Sequence, residues 1–283
     1  MLLVNNKPIT TGKFPNNETY VDFDELKELD PEKTHEISMR FESNDDLILL
    51  LLLKRSMDDM GFRHVTLRCP YLPYSALDRT EGKRCLGVKY IGSLINSLNF
   101  DSVSVLEAHS DVALAVVDRI KNTNYSEEIV EKAAQRLINS GVNQNSILLV
   151  FPDSGAEKRY KALKNKFSQW VSFQKKRRFA DGKLDRPILS DQQLSGDQVT
   201  TALIVDDLCR GGRTACLVAQ EVSEKFPTIT SCFLCVTHTE ESVYTGPILS
   251  DKHITAILTT DSCIQKITNK KLIDVTKWGG VCK

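Results

Sequence analysis

The chain has 283 residues, 41% hydrophobic and 26% charged, a balance that excludes disorder and collagen-like repeats and allows one large domain or two ordinary ones. Lys plus Arg is 37 and Asp plus Glu is 37, so the global basic excess of a protein that grips nucleic acid through its phosphates is absent. The longest apolar run, Leu47–Leu53, is seven residues, against the ~20 that a membrane-spanning helix needs.

In chain order, Met1 to Thr10 lacks a basic stretch followed by an apolar one, so no secretory leader is expected. Amphipathic spacing predicts helices over residues 46–60, 88–98, 127–140, 156–167 and 214–226. Between them lie short apolar runs rich in β-branched residues: 65–69, 103–106, 147–151, 202–205, 232–236 and 255–258. Runs apolar on both faces read as buried parallel strands. Their alternation with helices predicts an α/β fold with a mainly parallel sheet flanked by helices, and the helix-and-turn stretch 125–145 suggests a boundary between two such halves, residues 1–140 and 141–283. Gly141 is a plausible helix C-cap. The segment 175–198 opens on Lys175, Lys176, Arg177 and Arg178 and reads as a long, functional, flexible loop. Eight cysteines are scattered through the chain, which suits a cytoplasmic protein with reduced thiols. Cys232 and Cys235 form a lone CxxC inside an apolar run, better read as core residues than as zinc ligands.

Chemistry is concentrated in Leu203-Ile-Val-Asp-Asp-Leu-Cys-Arg-Gly-Gly-Arg-Thr214. An apolar strand is expected to end in Asp206 and Asp207. A glycine turn follows, and Thr214 opens a helix. Glycines let backbone approach a ligand closely, and the N–H groups of the turn and helix start point at an anion. Two acids at a strand's carboxyl end suit ribose hydroxyls or a hydrated Mg²⁺.

This pattern resembles the ribose-phosphate loop of type I phosphoribosyltransferase-fold proteins. Further segments are similar to those of the ribose-phosphate pyrophosphokinases, the PRPP synthetases, and run in the same order. They are Phe14-Pro-Asn-Asn-Glu18, Pro70–Arg79, Glu107-Ala-His109, Pro152–Arg159, the cation run at 175–178, Cys235-Val-Thr-His238 and Gly246-Pro247. The resemblance implies two phosphoribosyltransferase-like halves and transfer of the β,γ-diphosphoryl group of Mg-ATP to the 1-hydroxyl of ribose 5-phosphate, giving PRPP and AMP. It implies ATP contacts from Phe14, Glu18, Asp78, Arg79 and His109, and Mg²⁺ contacts from His109, Asp153, Asp206 and Asp207. Acceptor contacts would come from Asp206, Asp207, Arg210, Gly211, Gly212, Arg213 and Thr214. Lys175, Lys176, Arg177 and Arg178 would close over the phosphoryls in flight, with both Lys-x-Arg registers open. A homo-oligomer is implied, with Phe14 and Glu18 reaching a neighbour's adenine; no nucleic acid or membrane partner is expected.

Taken singly, several of these have plainer uses: Asp153 as a helix cap, and Asp78 with Arg79 as a surface ion pair worth under ~1 kcal/mol. The chain also departs from the resemblance. Ala76-Leu77 stands where an Arg-Gln is expected, Asn17 where a glycine is, and Glu107 where an aspartate is. Arg210 replaces an acid and Arg213 a glycine in the phosphate turn. Two added guanidiniums suit a larger anionic acceptor, such as ADP-ribose. The same segments also admit a non-catalytic regulatory subunit of a PRPP synthetase, or a plain phosphoribosyltransferase.

Overall fold

The computed structural model describes residues 1–80, 84–174, 186–264 and 268–276. The chain divides into two compact units, Met1–Asn124 and Tyr125–Lys283.

The first unit carries strands β1 (Leu2–Val4), β2 (Lys7–Pro8), β3 (Thr11–Lys13), β4 (Thr19–Val21), β5 (Thr34–Met39), β6 (His64–Arg68), β7 (Val103–Leu106) and β8 (Ile120–Thr123). Its helices are α1 (Asp45–Asp59), α2 (Gly87–Ser97) and α3 (Asp111–Ala115). The sheet order is β2-β1-β5-β6-β7-β8, and β3 and β4 form a separate hairpin. From β5 to β8 the pairing is parallel, while β1 runs antiparallel to both neighbours. Leu50, Leu53 and Met57 of α1 are buried in one cluster with Ile37, Leu67 and Val103 of the sheet.

The second unit contains α4 (Ser126–Asn139), β9 (Ile147–Phe151), α5 (Ser154–Arg159), β10 (Gln169–Gln174), β11 (Ile188–Gln193), β12 (Thr201–Cys209), α6 (Arg213–Lys225), β13 (Ser231–Thr239), β14 (Ala256–Thr260) and β15 (Leu272–Thr276). The order is β11-β10-β9-β12-β13-β14-β15. Pairing is parallel throughout except between β10 and β11. Both faces of the central strands are covered, which is why their sequences are apolar without alternation. Leu148, Val150, Ile204, Leu234 and Val236 pack with Val218, Ala219 and Val222 of α6. Leu149, Phe151, Leu203, Val205 and Cys235 pack with Ile129, Val130 and Ala133 of α4 and Ala156 of α5.

Each expected strand is present, with ends shifted by a few residues. Three expectations change. First, residues 127–140, expected in the N-terminal half, form α4 and pack on the second sheet, so the boundary lies at 124/125 and not at 140/141. The apolar stripe Ile129, Val130, Ala133 and Ala134 fits that sheet's helix-bearing face. Second, the helix expected over 156–167 ends at Arg159, and a 3-10 turn follows at Lys161–Asn165. Tyr160, at the break, is fully buried. Third, the expected loop 175–198 contains β11, an exposed edge strand paired with β10; residues 175–185 lie outside the described residues. Cys232 and Cys235 are buried core residues of β13, and burial pushes the Cys232 thiol up to about 12.

Candidate functional site

In the second unit, the turn joining β12 to α6 is packed backbone against backbone. Gly212 caps α6 at φ 75°, a left-handed conformation that glycine adopts without strain. A side chain there would overlap Ile248. A side chain at Gly246 would overlap the backbone of Gly211. The Gly246-Pro247 segment therefore acts as a floor that holds Gly211 and Gly212 in place. The first turn of α6 leaves N–H groups without helical partners, and the helix dipole adds partial positive charge there. Arg213 and Thr214 begin this helix, so the expected phosphate residues 211–214 are contiguous at its N-terminus.

The two acids are not at a strand end. β12 continues through Leu208 and Cys209, which pair with His238 and Thr239 of β13. Successive side chains in a strand point to opposite faces. Asp206 follows Ile204 toward the α6 face and is half-buried. Its Oδ1 accepts the backbone N–H of Asp207 at 2.9 Å, and its carbonyl accepts the Ser126 hydroxyl at 2.9 Å. Asp207 follows Leu203 and Val205 toward α4 and α5, and is only 4% exposed. Its Oδ1 lies 2.8 Å from Nη1 of Arg159. Burial is the largest single influence on Arg159 and opposes its charge, but Asp207 and Tyr160 together outweigh it, so the guanidinium lies above even its ordinary range.

Asp153 caps α5, its Oδ1 accepting the N–H of Ala156 at 2.9 Å. The bland role expected of it is thus real. His238, from another matching segment, is buried with Nδ1 2.7 Å from the Ser262 hydroxyl. Among the described residues, no three His, Cys, Asp or Glu side chains converge into a metal cluster. A hydrated Mg²⁺ needs less: one or two carboxylates plus substrate phosphates. The half-exposed Asp206 supplies donor chemistry of that kind.

The two added cations have different settings. Arg210 is exposed and its Nε lies 3.1 Å from Oε1 of Glu240. Arg213 lines a cavity of about 410 Å³ with Cys216, Leu217, Gln220, Pro247 and Asp251, beside the glycine turn.

In the first unit, His109 is half-buried just beyond β7 and directly precedes Ser110, which caps α3. Glu107 is buried at φ 43°, a conformation uncommon for a non-glycine residue. Its N–H donates to Thr123 O at 2.8 Å, and the N–H of Ala108 donates to Asn122 Oδ1 at 2.8 Å. The strand end bearing His109 is therefore clamped to β8. Asp78 and Arg79 pair at 3.5 Å, with Arg79 72% exposed and Asp78 13% exposed. Phe14 and Glu18 occupy the exposed tip of the β3–β4 hairpin, and the Phe14 ring lies 4.9 Å from that of Tyr20. Asn17 sits at φ 69° in this turn. The position calls for positive φ, which Asn tolerates better than other non-glycine residues. Lys175, Lys176, Arg177 and Arg178 lie outside the described residues.

Two partners went unassigned in the sequence. Arg159 stands within a matching segment, but nothing in the sequence marks Asp207 as its partner. Glu240 follows β13 with no distinguishing neighbour.

The phosphoribosyl transferase domain model matches residues 116–263. The ribose-phosphate pyrophosphokinase of Agrobacterium fabrum is 26% identical over 200 residues, covering 70% of this chain and 61% of that protein. The match thus spans less than two thirds of that relative's length. That of Pyrococcus furiosus is 28% identical over 238 residues, covering 82% of this chain and 78% of the other. The crystal structure of phosphoribosylpyrophosphate synthetase from Mycobacterium smegmatis superposes with a TM-score of 0.71 at 17% identity, covering 95% of this chain and 85% of that one. The match in structure is one of fold: two phosphoribosyltransferase-like α/β units. With a glycine cradle behind an acid-bearing strand and a domain match over more than half its length, the chain belongs to the phosphoribosyl transferase domain family, as a divergent relative of the ribose-phosphate pyrophosphokinases.

Proposed function

We propose that the chain is a Mg²⁺-dependent diphosphokinase that transfers the β,γ-diphosphoryl group of ATP to the anomeric hydroxyl of a ribose 5-phosphate-type acceptor, releasing AMP. The observation that carries this is the cradle of Gly211 and Gly212, locked by Gly246 at the start of α6, with Asp206 on the strand before it. The cradle suits a 5′ phosphate held by backbone N–H groups. Asp206, half-exposed, suits the ribose hydroxyls. Holding the sugar at both ends orients its anomeric oxygen, and alignment of this kind contributes much of a phosphoryl-transfer rate.

Mg²⁺, when bound with ATP, would neutralise charge on the transferring phosphoryls. Asp206 is assigned to it or to the sugar, and His109 and Asp153 to the nucleotide side. Lys175 or Lys176, with Arg177 or Arg178, is assigned to the charge that spreads over the phosphoryls in the transition state. Phe14 and Glu18, exposed on their hairpin, are assigned to the adenine pocket of a second copy in a homo-oligomer.

One observation favours a larger acceptor. Arg213 opens onto the cavity beside the cradle, where the second phosphate and nucleoside of ADP-ribose would extend past the 5′ phosphate. The same chemistry would then yield ADP-ribose pyrophosphate. Arg210, committed to Glu240, adds less to this than its charge suggests. The test is AMP release from Mg-ATP with each acceptor in turn. AMP formed with ribose 5-phosphate supports the first reading. A kcat/KM at least tenfold higher with ADP-ribose assigns the larger acceptor. Tight Mg-ATP binding with no AMP from either acceptor marks a regulatory subunit.

A further inference from the structure

Asp207 is one of two adjacent acids, yet its setting differs from that of Asp206. It lies on the opposite face of β12, its side chain is 5% exposed, and its carboxylate is occupied by Arg159 at 2.8 Å. Arg159 is itself largely buried, with its side chain 21% exposed. It is the last residue of α5, the helix that Asp153 caps at its other end. The pair therefore spans from the strand bearing Asp206 to the helix bearing Asp153. Ser126, at the start of α4, adds a second tie, donating to the carbonyl of Asp206.

We propose that Asp207 and Arg159 are positioning residues for the transfer reaction, resting on the reading given under Proposed function. Asp206 is the acid that meets the acceptor. Asp207 acts through Arg159, fixing the register of α5 against β12 so that Asp153 and Asp206 keep their spacing. A buried charge left without its partner is strongly unfavourable, whereas a buried pair neutralised on both sides often is not. Loss of either member alone should disturb the site more than loss of both.

The test compares Arg159→Gln, Asp207→Asn and the double variant in the full-length protein, by AMP release under saturating Mg-ATP and by thermal melting. Kinetics are read well below every melting temperature. Each single variant should lose at least tenfold in kcat with less than a threefold change in acceptor KM, and the double variant should recover at least threefold over the worse single. Arg159→Lys, which keeps the charge, should retain more activity than Arg159→Gln. A rise of tenfold or more in acceptor KM for Asp207→Asn, with Arg159→Gln at wild-type kinetics, would make Asp207 a direct acceptor ligand and overturn the proposal. So would lowered melting temperatures with unchanged kinetics, which would leave the pair purely structural, and so would additive losses in the double variant. Wild-type protein that releases no AMP overturns the underlying reading and the proposal with it; active wild type with the contrary variant pattern overturns the proposal alone.

Discussion

At the scale of single residues, function turns on the face, exposure and setting of each side chain. Asp206 and Asp207 are neighbours in sequence and differ in every physical respect that matters: face, exposure and partner. A charged hydrogen bond contributes about 1.5–3 kcal/mol, so Asp206→Asn should raise the acceptor KM roughly 10- to 100-fold, measured by AMP release. Gly246 has a different job. Because a side chain there overlaps the backbone of Gly211, Gly246→Ala should destabilise the protein by about 1–3 kcal/mol, seen as a lower urea midpoint, and should also weaken acceptor binding by displacing the cradle. The glycines and acids were legible in the sequence because their chemistry is local. The pairing of Asp207 with Arg159 was not, since adjacency alone does not assign faces. The clue was present in Leu208 and Cys209, apolar residues that carry the strand beyond the acids and so impose alternation on them.

At the scale of elements, two-sided burial made β7, β9, β12, β13 and β14 readable: each contains a short, mostly apolar run. The elements that escaped are those whose burial is mixed or whose pattern is interrupted. β10, Gln169-Trp-Val-Ser-Phe-Gln174, carries a buried glutamine and serine among its apolar residues. β11 is a polar edge strand. The helix α4 was legible as a helix, but its allegiance was not, because an amphipathic stripe does not name the sheet it covers. Its packing gives a direct check. Ile129 of α4 and Leu203 of β12 share one buried cluster, and cores typically lose about 2–5 kcal/mol on Ile→Ala or Leu→Ala. Ile129→Ala and Leu203→Ala combined should therefore depart from additivity by about 0.5 kcal/mol or more, by denaturant unfolding. Strict additivity would place α4 elsewhere.

At the scale of the whole molecule, segments matching one family run in order from Phe14 to Pro247, through both α/β units. The divergence falls at the glycine turn, where two cations enter, and in the segment 70–79, where an apolar Leu77 is packed at the start of α2. Such changes alter what is bound more readily than what is done to it, because transfer needs charge neutralisation and alignment and these depend on other groups. Chelation of divalent cations should accordingly abolish turnover, and added Mg²⁺ should restore it. The most direct measurement uses ATP labelled with ³²P at the β position, incubated with Mg²⁺ and ribose 5-phosphate or ADP-ribose. The label should leave the nucleotide, appear in an acid-labile sugar diphosphate and match the AMP formed mole for mole. Label that stays in ADP or unreacted ATP with both acceptors would contradict diphosphoryl transfer by this chain.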